Sequence, residues 1–150
     1  MKKQIIIETI CFLFVILFIY AATNKLLDYQ KFSIQIGQSP LLTGFGDTIP
    51  WLVITSEIVV SVLLLIPNLR LVALYASFSL MVMFTAYIVA ILNFSSYVPC
   101  SCGGVLEKLG WREHLVFNSA FVLLGLLGIT LHPEKKSSAN QAEILISDTE

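Results

Sequence analysis

Four long stretches of the chain are apolar on every side and almost free of charge. They cover about residues 5–23, 49–66, 71–94 and 115–131, each close to the roughly 20 residues that cross about 30 Å of hydrocarbon at 1.5 Å per residue. Glu8 is the only charge in the first and Glu57 the only one in the second; the third and fourth have none. The second and fourth are on the short side. Barrel strands would alternate apolar and polar residues over about ten positions. Runs that are apolar all round predict helices instead, because a helix in lipid satisfies its backbone donors internally. The predicted fold is all-α: an integral membrane four-helix bundle, antiparallel, over residues 1–132, followed by a mobile polar tail over 133–150. The first run is longer than the roughly 7–15 apolar residues of a signal-peptide core, and three more spans follow it. It is therefore read as a retained span, although Lys2 and Lys3 precede it.

The connections differ in kind. The run from Pro67 to Arg70 (PNLR) predicts a tight turn, which makes spans two and three an antiparallel hairpin. Between spans one and two, Leu26, Tyr29, Phe32 and Ile36 recur at helical spacing with polar residues between them. That pattern predicts a short interfacial helix after the first span. Gly37 is its candidate stop, and Ser39-Pro40 then favours extended chain.

Composition agrees with this picture. Of the 150 residues, 57% are hydrophobic and 13% charged, and the mean hydropathy is +0.85. Average globular usage is about 45–50% apolar and about 25% charged, so a water-soluble domain is excluded. A disordered chain is excluded by the same numbers. The net charge is −1 and no basic stripe exists, which argues against nucleic acid as a partner and leaves membrane lipid. With four spans both termini lie on one side. Lys2, Lys3, Arg70, Lys135 and Lys136 share that side, and Lys25, Lys31, Lys108 and Arg112 share the other. The positive-inside rule thus favours cytoplasmic termini by one residue.

The segment between spans three and four carries Cys100-Ser101-Cys102, preceded by Pro99 and followed by Gly103-Gly104. With cytoplasmic termini this segment is extracytoplasmic, where disulfides persist. Two residues of extended chain span about 7 Å, near the upper limit between disulfide-bonded Cα atoms. A Cys100–Cys102 bond would therefore bend the backbone and carry strain, and strained disulfides are labile and oxidising. That chemistry suits a relay in which a partner thiolate attacks through a mixed disulfide, with the glycines leaving room for the partner's backbone. Val105, Leu106 and Leu109 are spaced like a short helix after Gly104, which predicts a lowered pKa for Cys102 at its N-terminus. A titrated value near 8.5 would remove that element. Metal binding and two idle thiols remain alternatives. The metal reading lacks ligands, since His114 is the only obvious addition to a site that normally takes four.

Other candidates lie in the spans. Cys11 reads as a small buried hydrophobe. Glu8, near a span end, reads as a snorkelling residue. Glu57 lies about 12 Å into its span, where an ionised carboxylate is costly unless paired or facing a cavity. Thr55, Ser56 and Ser61 cannot neutralise it, so Glu57 is either protonated or paired with another span, in a functional or a structural role. The topology collects Asn24, Lys25, Asn93, His114 and Asn118 on the same side of the membrane as the cysteines. His114 and Asn118 share one helix face. His114 is either a proton carrier for a thiol or an interfacial residue beside Trp111.

The run from Tyr20 to Asp28 (YAATNKLLD), the loop to Ser39-Pro40, the run from Pro99 to Gly104 (PCSCGG), and Leu109-Gly-Trp111 with His114 and Asn118 together resemble the MauE family. These are methylamine utilisation membrane proteins, related in architecture to DoxX-like proteins. The resemblance implies a multi-pass protein of the bacterial inner membrane that works with a thioredoxin-like extracytoplasmic partner in disulfide formation. It implies that Cys100 and Cys102 are the working cysteines. On that reading His114, Asn118, Glu57 and Lys25 are proton or packing partners, and the membrane portion either passes electrons to a quinone-type carrier or anchors the partner. The DoxX-like relationship implies an alternative: a non-catalytic assembly subunit of a quinol-linked oxidase system. No quinone or haem motif accompanies it. A solute transporter centred on Glu57 is a third reading, weakened by the lack of a discontinuous-helix pair.

Overall fold

The computed structural model describes residues 2–38, 48–94 and 110–132. All regular structure among these residues is helical. In chain order there are α1 (Lys2–Leu27), α2 (Tyr29–Gln38), α3 (Thr48–Leu65), α4 (Arg70–Phe94) and α5 (Trp111–Leu131), with a single 3₁₀ turn at Pro67–Leu69 between α3 and α4. Four of these helices are long and apolar enough to cross a membrane. Only 22% to 39% of the residues in their most apolar stretches are buried inside the protein, so most of each helix turns apolar side chains outward. Phe12, Ile16, Leu52, Val62, Val72, Val116 and Leu123 are all more than half exposed. In water that surface would drive aggregation; against lipid tails it costs nothing.

Local chemistry accounts for the joints. Pro67 has no N–H to give, so the α3 ladder ends before it and the chain closes through Ile66 N–H to Leu63 O (3.1 Å) and Leu69 N–H to Ile66 O (3.0 Å). The predicted tight turn is present. At Asp28 the ladder is nearly continuous, with Asp28 N–H donating to Asn24 O and Phe32 N–H to Asp28 O. Helix α1 thus runs to Leu27, past the predicted exit near Thr23, and the helix after it begins at Tyr29. Leu26 belongs to α1 and is exposed, whereas Phe32 and Ile36 of α2 are buried. Helix α5 begins at Trp111, four residues before the predicted span. Gly110 caps it with extended backbone, and the Glu113 carboxylate folds over Gly110 where a Cβ would collide. An acid in this first turn meets the positive end of the helix dipole.

The helices alternate in direction. The beginnings of α1 and α4 meet at Glu8 and Arg70, 3.2 Å apart. Gly128, near the end of α5, packs on Ile10 and Leu74 near those beginnings, where a Cβ would stand 3.1 Å from Leu74 Cδ2. The missing side chain lets α5 approach closely, as small residues do between membrane helices. The core falls into two groups. One, nearer the N-terminal end of α1, contains Ile7, Ile10, Phe14, Phe18, Val60, Leu64, Leu74 and Met81. The other joins Ala22, Phe32, Ile36, Val53 and Ile54 beside α2. Cys11 is buried in the first group as a free thiol, packed as an apolar side chain. The predicted tail over 133–150 lies outside the described residues.

Candidate functional site

Glu57 sits between the two core groups, flanked in sequence by Ile54 of one and Val60 of the other. Its side chain is completely buried. Such a carboxylate needs a partner, since desolvation in the protein interior costs several kcal/mol per ion. Lys25 supplies it from the last turn of α1: Nζ donates to Glu57 Oε1 at 2.7 Å, and the lysine side chain is itself 10% exposed. The sequence left Glu57 either protonated or paired with another span, and the structure has it paired with Lys25, 32 positions away.

The ammonium has a second set of neighbours. Nζ stands 5.8 Å from the ring centroids of both Phe32 in α2 and Phe84 in α4. Aromatic faces attract a cation, and more strongly when water is excluded. Lys25 is thus held by α1, α2, α3 and α4 together. Glu57 Oε2, buried like Oε1, has no hydrogen-bond partner among the described residues. The sequence marks neither ring as a neighbour of Lys25: Phe32 belongs to an amphipathic stripe, and nothing in the spacing relates Phe84 to Lys25.

Helix α5 closes the fourth side. His114 and Asn118, one turn apart, are both buried, at 8% and 5% exposure. Backbone His114 N–H to Gly110 O closes the first turn of α5 and fixes where the imidazole leaves the helix. Of the five polar residues that topology gathers at this end, Lys25, His114 and Asn118 are turned inward. Asn24 donates back to Tyr20 O, and Asn93, exposed, donates back to Val89 O. Both asparagines spend their amides on their own helices, so neither belongs to the buried group.

Cys100 and Cys102 lie outside the described residues, as does the short helix predicted after Gly104. The described chain on either side of them, Phe94 closing α4 and Gly110 opening α5, belongs to the end of the bundle that holds Lys25 and His114. Among the described residues no three His, Cys, Asp or Glu side chains gather to hold a metal ion.

At the opposite end Glu8, which reads as a snorkelling residue, stays half exposed and pairs with Arg70 at 3.2 Å. The two side chains are 49% and 23% exposed, so solvent or headgroups share in their solvation. Arg70 follows directly on the 3₁₀ turn, which delivers its guanidinium to the start of α1.

A family model described as methylamine utilisation protein MauE matches residues 3–131. No curated protein and no solved structure matches the chain. With all four membrane-capable helices, save Lys2, inside the matched region, the chain belongs to the MauE family and is a methylamine utilisation-related membrane protein.

Proposed function

We propose that this protein exchanges electrons between a Cys100–Cys102 pair and an extracytoplasmic thioredoxin-like partner. A thiolate of the partner attacks one sulfur of the Cys100–Cys102 disulfide, forming a mixed disulfide and releasing the other cysteine as a thiolate. The partner's second thiolate then resolves the mixed disulfide. The partner leaves oxidised, and Cys100 and Cys102 are left reduced by two electrons. A quinone-class carrier in the membrane accepts the two electrons and two protons that restore the disulfide. The bundle sits in the inner membrane with cytoplasmic termini, which puts the cysteines on the oxidising side.

The observation that supports this reading most is the company the cysteine segment keeps. It joins two helix ends on the side of the bundle that holds the buried residues Lys25, Glu57, His114 and Asn118, whereas the ion pair of the opposite end, Glu8–Arg70, is partly exposed. An intramembrane carboxylate that survives in lipid is by default a functional feature.

The test is trapping. Cys100→Ser and Cys102→Ser are expressed singly, and membranes are separated without reductant. One of the two accumulates a mixed disulfide with a thioredoxin-fold protein, formed in the reverse direction when the remaining thiolate attacks the partner's disulfide, because the second cysteine that would release the partner reduced is gone. An assembly-only subunit gives no adduct with either variant and keeps full activity with both.

A further inference from the structure

We propose that the Lys25–Glu57 pair is an insertion device: Lys25, already seated at the end of α1, is what allows α3 to enter the membrane with an acid in its middle. The proposal concerns how the bundle is assembled and does not depend on the cysteines.

Helix α3 is the shortest of the four spans, with 18 residues against 26 in α1, 25 in α4 and 21 in α5. Glu57 is its one charge and lies halfway along it, among Thr55, Ser56 and Ser61. An acid at the centre of a span is among the residues that most oppose insertion. Its own helix does not relieve it. Ser56 and Ser61 donate back to Val53 O and Glu57 O, so neither hydroxyl goes to the carboxylate. Among the described residues Glu57 Oε1 accepts from Lys25 and Oε2 from nothing.

Lys25 precedes Glu57 by 32 positions and sits in the last turn of α1, so it is in place before α3 arrives. At a span end an ammonium can turn to the headgroups, and α1 alone holds it at little cost. Helical Cβ atoms tilt toward the helix N-terminus. In the antiparallel pair α1 and α3, Lys25 therefore points back into the bundle and Glu57 points toward it. Nζ and Oε1 meet at 2.7 Å, with the Phe32 and Phe84 rings beside the ammonium. Below the pair α1 and α3 share one core, Phe14 and Ile10 with Val60 and Leu64. The two partners are thus unequal during assembly. Without Lys25, α3 has to carry an unpaired acid into lipid. Without Glu57, Lys25 stays at the end of α1 with the headgroups in reach. A pair that served only the finished bundle would lose equally from either side. If α3 stays out, the turn at Pro67–Leu69 remains on the side where α1 emerges.

The test reads that side directly. The full chain, carrying Cys11→Ala, Cys100→Ser, Cys102→Ser and Asn68→Cys, is translated in vitro into inner-membrane vesicles, where no cellular turnover removes failed chains. A membrane-impermeant maleimide, applied to intact and to permeabilised vesicles, locates position 68. The side it takes with Lys25 and Glu57 both present is the reference, whichever way the protein faces. Lys25→Met should place position 68 on the opposite side in at least about tenfold more chains, a cautious figure for an acid at a span centre. Lys25→Arg and Glu57→Gln should keep the reference side, and Lys25→Met/Glu57→Gln should restore it. Unchanged sidedness in Lys25→Met overturns the proposal. So does an equal loss in Glu57→Gln, or a double variant that fails to restore the reference, since the defect then lies in α1 rather than in the stranded acid.

Discussion

The two ends of this bundle solve the same problem in opposite ways. Each has to accommodate an acid on a membrane helix, Glu8 in α1 and Glu57 in α3, and each gives it a basic partner from another helix. At the terminal end the partners meet at 3.2 Å with Glu8 half exposed, next to a core that is otherwise apolar. At the other end Lys25 and Glu57 meet at 2.7 Å inside the bundle, beside two aromatic rings, and His114 and Asn118 in the first turns of α5 are buried too. The first arrangement is cheap and contributes little. The second is expensive to build, since both ions lose their solvation and only good geometry returns it.

The largest effect should come from breaking the inner pair on one side. Lys25→Met or Glu57→Gln alone strands a buried partner and should cost about 3–5 kcal/mol of unfolding free energy in mixed detergent micelles. Losing less than 1 kcal/mol would mean that water reaches the pair and that the contrast between the ends is false. Next in size is Gly128→Leu at the terminal end. The new side chain enters the space held by Leu74 and Ile10, and overpacking should cost about 1–3 kcal/mol in the same assay. Gly125→Ala meets Phe14 and Phe78 at ordinary contact distance, 3.4 Å, so it should be nearly neutral beside it. The smallest effect is expected from the outer pair. Glu8→Gln or Arg70→Gln should change stability by no more than about 1 kcal/mol, as exposed pairs do. The contrast sharpens with the double change Lys25→Met/Glu57→Gln, which should recover most of the stability lost in either single variant.

What could be read from the chain follows the same division. The four apolar helices were legible because lipid demands continuous apolar runs, and that demand is local in sequence. The turn at Pro67 was legible because proline acts on its own backbone. The extension of α1 past Thr23 was not. Asn24 and Lys25 look like a polar exit, yet Asn24 bonds back onto its own helix and Lys25 is buried by residues from three other helices. The candidates Lys25, Glu57, His114 and Asn118 were found separately, from rarity in apolar surroundings or from placement on one side. The sequence left open which of them touch, because the register between α1 and α3 is a property of tertiary packing that periodicity within one helix does not encode. Phe84 had no signal at all. Glu8 and Arg70, 62 positions apart, became partners through the same packing.

The most direct test concerns the cysteines themselves. A membrane-impermeant thiol label is applied to intact cells carrying Cys11→Ala, before and after mild reduction. The account predicts labelling of Cys100 and Cys102 only after reduction, as an oxidised pair on the outer face requires. Labelling without reduction, or none under either condition, would contradict it.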